Sequence, residues 1–261
     1  VDITDADDPR IADYVDLADP DLRRRVEAER GYFVAESPLV VRALLRSGRR
    51  VRSVLVTPKQ YEALGDVLAG VDVPVYVAPP AVLRRVVGFD LHRGAVAAAD
   101  RWALPPVATV LEGARRIAVL QKVNDHENLG VVFRSAAALG IEAMLLDAEC
   151  SDPLYRRTVR VSIGHVLHVP WTRLRSLDEV TAAGFEPVAL TPDPGATALD
   201  AVAWPARTAL LLGAEGAGLS AEWLAAATVR ARIPMRHDVD SLNVATAAAI
   251  AFYVLGRQPL S

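Results

Sequence analysis

Apolar residues along this chain fall into short runs divided by polar turns, and the runs alternate between strand-like and helix-like periods. In the first hundred residues, 31–35, 51–57 and 73–77 read as strands. Helices are predicted over 21–30, with arginines on its exposed side, and over 38–48, 58–68 and 81–87. The second of these is announced by Ser37-Pro38, an N-cap followed by proline at the first helical position. The aspartate-rich opening, up to Pro20, reads as loop or a loosely docked helix. A stretch from Arg101 to Gly113 containing Leu104-Pro105-Pro106 reads as linker. Beyond it the alternation restarts, with strands at 116–122, 143–146, 167–169, 185–190 and 208–212. Helices are predicted at 128–139, 152–163, 177–183 and 221–227, with Asn128 as N-cap and Gly140 as stop for the first. The chain closes on a strand end, Ile233-Pro234-Met235, where Pro234 stops ladder pairing, then a polar turn at 236–240 and a long apolar helix. Asp240 or Ser241 is the expected cap, which would put Ser241 and Asn243 in that helix's first turn. Alternating strands and helices predict an α/β fold, divided into a small unit at 1–103, a linker at 104–113 and a larger unit at 114–261.

Composition narrows the class. An apolar fraction of 52% over 261 residues provides for one large core or two smaller ones. A single cysteine, Cys150, rules out an internal disulfide and a thiolate metal cluster, and reads as a buried small hydrophobe suited to a reducing compartment. The longest uncharged apolar run, 244–256, is too short to span a bilayer. The Asp-rich start lacks the basic and apolar regions of a signal peptide, so a soluble cytoplasmic protein is expected. His165, His168 and His237 have no metal-ligand spacing with Asp or Cys, so no metal is expected.

The net charge of −3 argues against general nucleic-acid affinity, but it hides a split. Residues 1–21 carry eight aspartates against Arg10, whereas 22–103 carry fourteen basic against eight acidic residues. Basic clusters stand at Arg23-Arg24-Arg25, at Arg49-Arg50-Val51-Arg52 and at Arg84-Arg85, with Arg156 and Arg157 further on. Arginine is the side chain best suited to forking phosphate, so Arg49, Arg50, Arg52, Arg156 and Arg157 are candidate RNA contacts. Solvated faces are the competing reading.

Three turns in the second half each follow an apolar strand and precede a helix, the position where open α/β sheets bind ligands. The first is Asn128-Leu129-Gly130, with Arg134 six residues past Asn128. The second runs Gly213-Ala214-Glu215-Gly216-Ala217-Gly218-Leu219-Ser220; its glycines imply a positive φ or a close backbone approach. No Gly-Lys-Ser/Thr follows, the dinucleotide fingerprint is absent, and Glu215 would repel a pyrophosphate. A cationic or neutral polar ligand suits it better. The third is Ser241-Leu242-Asn243, at a helix start where unpaired N–H groups favour an anion or developing oxyanion, although Ser and Asn there serve equally as plain caps.

In this order and spacing, Asn-x-Gly-x-x-x-Arg, Gly-x-Glu-Gly-x-Gly-Leu-Ser and Ile-Pro-Met…Ser-Leu-Asn-Val resemble motifs one to three of the SpoU/TrmH RNA 2′-O-methyltransferases of the SPOUT superfamily. The match covers roughly 114–255. The segment Arg160-Val161-Ser162-Ile163-Gly164 is similar to a family segment between motifs one and two, and the region 31–45, with Glu36 and Pro38, resembles the small substrate-binding domain many members carry in front. Where members often have proline before the motif-one Asn, this chain has His126-Glu127.

The resemblance implies a trefoil-knotted α/β domain, a homodimer, S-adenosyl-L-methionine as methyl donor and RNA as substrate, ribosomal RNA ahead of tRNA. It implies catalytic roles for Arg134, Asn128, Glu215, Ser241 and Asn243, with Arg134 at the ribose 2′-hydroxyl. The donor's adenine and ribose would be held by Leu190, Thr191, Gly213, Gly218, Leu219, Ile233, Met235 and Leu242. Two other readings remain open: a non-catalytic RNA-binding protein on the same fold, and a nucleotide-dependent oxidoreductase, disfavoured by the missing glycine fingerprint.

Overall fold

A computed structural model describes residues 1–91, 93–236 and 240–258, with the side chains of Pro20, Asp21, Arg23 and Arg24 left aside. His237 and the side chains of Arg23 and Arg24, singled out in the sequence, therefore lie outside what is described. The chain forms two compact units. One comprises residues 1–102 with 153–168, the other 103–152 with 169–261.

In the first unit the elements are α1 (Pro20–Glu29), β1 (Tyr32–Glu36), α2 (Pro38–Arg46), β2 (Val51–Val56), α3 (Pro58–Ala63), α4 (Gly65–Leu68), β3 (Val75–Val77), α5 (Pro80–Val87) and β4 (Ala95–Asp100). They build a four-stranded sheet in the order β1-β4-β2-β3, antiparallel except for β2 with β3. Sequence pattern missed β4, Ala-Val-Ala-Ala-Ala-Asp, although it lies between β1 and β2. Alanine is a weak strand former, and a strand buried on both faces shows no alternation. Ser37 holds the N-cap position of α2 but makes no side-chain capping bond; its φ is +97° and its N–H donates to Ala95 O at 2.9 Å. The acidic opening is not loosely docked. It forms a 3-10 helix, Pro9–Tyr14, and Ile3, Ile11, Tyr14 and Leu17 are fully buried. The Tyr14 hydroxyl lies 2.7 Å from Ser53 Oγ and accepts from the Ala98 N–H at 3.2 Å, so a buried polar group is paired.

The excursion 153–168 carries α8 (Arg156–Val161) and a 3-10 turn, His165–Leu167. The expected helix at 152–163 thus shrinks to its middle, and the strand expected at 167–169 is displaced to 171–173. Ile163 (φ +52°) and Gly164 (φ +78°) turn the chain after α8. Side-chain crowding makes that conformation costly for isoleucine, so the fold has to hold it. Glu36, buried at the end of β1, accepts from Arg156 Nη1 at 2.6 Å and Arg160 Nη1 at 3.1 Å, and Arg156 also donates to Leu17 O at 2.8 Å.

The second unit contains α6 (Val107–Val110), β5 (Arg116–Gln121), α7 (His126–Leu139), β6 (Ala143–Leu146), β7 (Trp171–Arg173), α9 (Asp178–Ala182), β8 (Glu186–Leu190), β9 (Thr197–Ala198), β10 (Thr208–Gly213), α10 (Ala221–Ala226), β11 (Val229–Arg232) and α11 (Val244–Gly256). All seven strands run parallel in the order β7-β6-β5-β10-β8-β11-β9. The central strands read as unbroken apolar runs because helices cover both faces of a parallel sheet. Residues 104–113 are more than a tether, since Val110 and Leu111 join the core of this unit and Pro105 O accepts from Thr172 Oγ1 at 2.7 Å. The last strand ends at Arg232, one residue before the Ile233-Pro234-Met235 expected to close it. Among the described residues no helix is long and apolar enough to cross a membrane.

Candidate active site

The three turns meet at the carboxyl ends of parallel strands in the second unit. A cavity of ≈ 300 Å³ opens beyond β8, β10 and β11, lined by Leu190, Thr191 and Pro192 from the first, residues 212–216 and Gly218 from the second, and Ile233, Met235 and residues 241–244 after the third, with Ala247 of α11 behind. Adjacent strand ends of a doubly covered parallel sheet diverge into loops, and a crevice forms there.

The glycine turn closes on itself. Ala214 bridges Gly218, whose N–H donates to Ala214 O at 2.9 Å. A Cβ on Gly213 would sit 2.2 Å from the Gly218 carbonyl carbon, so the closure requires glycine at that position. Gly216 (φ +80°) and Gly218 (φ +66°) supply the left-handed turns. Gln121, buried at the end of β5, fixes the exit from the turn: its Oε1 accepts from the Ser220 N–H at 2.8 Å, and its Nε2 lies 3.0 Å from Ser220 Oγ. In sequence, Gln121 shows only as a polar residue near the end of an apolar strand, a weak signal for a role at the site.

The caps differ from expectation. Asn243 itself is the N-cap of α11: its Oδ1 accepts from Ala245 N (2.9 Å) and Thr246 N (3.2 Å), and Ser241 precedes the helix. Asp125 caps α7 by accepting from the Asn128 N–H at 2.7 Å, which moves Asn128 inside the first turn and Arg134 into the third. Asn128 is of a type preferred at caps, but Asp125 starts the helix three residues earlier and adds a charge that the helix dipole favours there.

Because its oxygen is committed to the helix, Asn243 must turn its amide nitrogen outward. Nδ2 donates to Asn128 Oδ1 at 2.9 Å and to Glu215 Oε1 at 2.5 Å. One side chain thus joins all three turns. Of the predicted donor-binding residues, Leu190, Thr191, Gly213, Gly218, Ile233, Met235 and Leu242 line the cavity, as do Glu215, Ser241 and Asn243. Leu219 does not; it is buried in the core of this unit. Arg134 also lies outside the lining, exposed on α7. Six helical residues put it about 9 Å along the axis from Asn128. Pro192, Leu212, Ala214, Gly216, Val244 and Ala247 complete the lining without having been singled out as site residues.

Among the candidate RNA contacts, Arg156 is engaged with Glu36, and Arg52 pairs with Asp100 at 2.5 Å while donating to Arg30 O at 2.8 Å. Arg50 lies 3.2 Å from Asp100, and Arg157 is exposed. Cys150 is buried, and desolvation pushes its thiol up to about 12.

Residues 115–253 match the SpoU rRNA Methylase family. An uncharacterized tRNA/rRNA methyltransferase of Mycobacterium tuberculosis is 47% identical over 97% of this chain and 90% of its own length. The 23S rRNA (guanosine(2553)-2'-O)-methyltransferase RlmP of Bacillus subtilis is 34% identical over 56% of this chain and 59% of its own length. The crystal structure of an AdoMet-bound rRNA methyltransferase from Sinorhizobium meliloti superposes with a TM-score of 0.82 at 27% identity, covering 100% of this chain and 99% of that one. The chain belongs to the SpoU family of RNA methyltransferases.

Proposed function

We propose that this SpoU-family chain transfers a methyl group from S-adenosyl-L-methionine to a ribose 2′-hydroxyl of RNA, ribosomal RNA ahead of tRNA. The observation that carries the reading is the Asn243 amide bridging Asn128 and Glu215 at the edge of the cavity, where three separate motifs converge. The cavity suits the donor: Leu190, Ile233, Met235 and Leu242 offer apolar walls to a flat base, and the backbone of the glycine turn offers polar groups without side chains. When bound, S-adenosylmethionine supplies an electrophilic methyl group on a positively charged sulfur.

The chain's residues have to bind, align and handle a proton. Alignment of two reactants can supply a large share of the rate. Glu215, at the cavity and held by Asn243, places negative charge where a cationic donor would be stabilised. Arginine is a poor general base, since the guanidinium has no lone pair free to take a proton, so Arg134 is not assigned that task. Its role is to orient the ribose and stabilise the developing alkoxide, with a phosphate-coupled relay as the proton's exit. Ser241 is assigned to the ribose side of the site. Gly213, Gly218 and Thr191 hold the donor through backbone, and Leu219 supports them from the core.

A homodimer and the trefoil knot belong to the same proposal. Support for the dimer comes from α7 and α11, which pack together and expose Val131, Ile250 and Tyr253. The division into an RNA-binding front domain and a methyltransferase domain, and a cytoplasmic location, are likewise part of it.

The test is calorimetric titration with S-adenosylhomocysteine, with NADH as control, followed by mapping of ribose methylation in RNA from a deletion strain. Binding of the first alone and a lost 2′-O-methyl signal are expected. Binding of NADH alone would turn the reading to an oxidoreductase, and binding of RNA without donor or methyl transfer would turn it to a non-catalytic RNA-binding protein.

A further inference from the structure

An open cleft of ≈ 910 Å³ in the first unit lies where α2 passes into β2 and is lined by Arg49, Arg50, Arg52, Asp72 and Asp100 among others. Its three guanidiniums do not share one fate. Arg50 and Arg52 both reach Asp100. Arg49 instead lies over the face of Trp102, its guanidinium carbon 3.7 Å from the ring centroid, and Trp102 is braced edge-on by Phe33 at 6.1 Å. Arg49 Nε is buried and has no hydrogen-bond partner among the described residues. Desolvation pulls the group below its ordinary value, and among the described residues no carboxylate forms an ion pair with it.

A buried, unpaired donor on a charged group costs stability, and native structures rarely retain one without a reason. Stacking on tryptophan offsets part of that cost and leaves the planar edge of the guanidinium fixed in orientation. A rigid guanidinium fork without its own carboxylate, flanked by two further arginines, is suited to a phosphate group, which accepts two parallel N–H bonds from arginine.

We propose that Arg49, stacked on Trp102, anchors a backbone phosphate of the RNA substrate in this cleft, with Arg50 and Arg52 as flanking charges restrained by Asp100. The inference rests on the RNA reading above and adds a defined anchor within the first unit, apart from the methyl-transfer residues of the second. Asp100 keeps the cleft from being a general polyanion trap by neutralising part of its charge.

The experiment is fluorescence anisotropy of a short labelled oligouridylate with the full chain over a range of potassium chloride concentrations. Arg49→Gln is expected to weaken binding about tenfold and lower the salt slope by about one. Arg49→Lys, which keeps charge but loses fork and stack, should lie nearer Arg49→Gln than wild type. Asp100→Asn should tighten binding about threefold by releasing Arg50 and Arg52. A merely structural role for the cluster predicts the opposite sign for Asp100→Asn, so that result keeps the test decisive if Arg49→Gln folds poorly. Wild-type affinity in Arg49→Gln, weaker binding in Asp100→Asn, or no binding by the wild-type chain would overturn the proposal. Uridine monophosphate binding as tightly as the oligomer would overturn it in favour of a free-nucleotide pocket. S-adenosylhomocysteine titrated into each protein separates the two readings: loss of donor binding in the wild type with the anchor intact removes the methyl-transfer reading alone.

Discussion

Asn243 performs two tasks with two ends of one amide, and substitution can separate them. Asn243→Ala removes both, whereas Asn243→Asp keeps an oxygen to cap α11 and deletes the donor that reaches Asn128 and Glu215. Losing the cap costs about 1 kcal/mol, which in a chain this long lowers the melting temperature by about 3 °C. Asn243→Asp should melt within about 1 °C of wild type, because an acid at a helix N-terminus is favoured by the dipole. Its effect appears in the site instead. Asn128 can rotate its amide to donate to the new carboxylate, but Glu215 loses its donor and meets a like charge, so it turns away from the cavity edge. S-adenosylhomocysteine affinity should fall about tenfold and methyl transfer to RNA at least thirtyfold or so, on the order of 2 kcal/mol of transition-state stabilisation. The assays are thermal unfolding, calorimetric titration and tritium transfer from labelled S-adenosylmethionine. If Asn243→Asp transfers methyl at the wild-type rate, the bridge is only a helix cap and the reasoning fails.

Arg134→Ala should leave donor affinity near wild type and lower methyl transfer about a hundredfold or more; lost donor binding would mean its role is misplaced. Gly213→Ala puts a Cβ 2.2 Å from the Gly218 carbonyl carbon, so S-adenosylhomocysteine affinity should drop at least thirtyfold or so, and unchanged affinity in titration would refute the closed turn. Glu36→Gln leaves Arg156 and Arg160 facing a neutral amide and should cost on the order of 3 kcal/mol, read as a melting shift of about 9 °C; a shift below about 2 °C would show the pair to be dispensable. The Cys150 thiol, pushed up to about 12, should resist iodoacetamide at pH 8 until the chain unfolds. Since the folded state holds that proton more tightly than the unfolded state, this thiol's contribution to stability is intact below about pH 8.5 and is lost as pH rises towards 12. Rapid labelling of the native protein at pH 8 would contradict the burial.

Most strands and helices were legible because hydrophobic runs and turn residues agreed locally. The misses share a cause. β4 consists largely of alanine, and only its neighbours β1 and β2 make it a strand. The opening segment looks solvated by its aspartates, yet Ile11, Tyr14 and Leu17 fall on one side and are buried by partners far along the chain. Caps were misplaced by two or three residues because several polar side chains near each helix start are able to begin the helix, and spacing alone does not choose among them. Most motif residues called from sequence line one cavity. Leu219, expected beside the donor, is absent from the cavity lining because order along a motif says nothing about which way a side chain points.

The arginines make the sharper case. In sequence, Arg49, Arg52 and Arg156 are equivalent: each sits in a basic cluster, and each is a candidate for phosphate. What separates them is whether a carboxylate arrives from elsewhere. Glu36 reaches Arg156 across 120 residues and Asp100 reaches Arg52 across 48, distances no local pattern reports. Arg49 receives a tryptophan in place of a carboxylate. A guanidinium with an internal carboxylate must exchange a formed ion pair for a phosphate, so its net gain on binding is small; one stacked on a ring with an unsatisfied N–H gives up no such pair. The basic clusters therefore divide by partner rather than by position, and the excess positive charge of residues 22–103 overstates the part available to RNA.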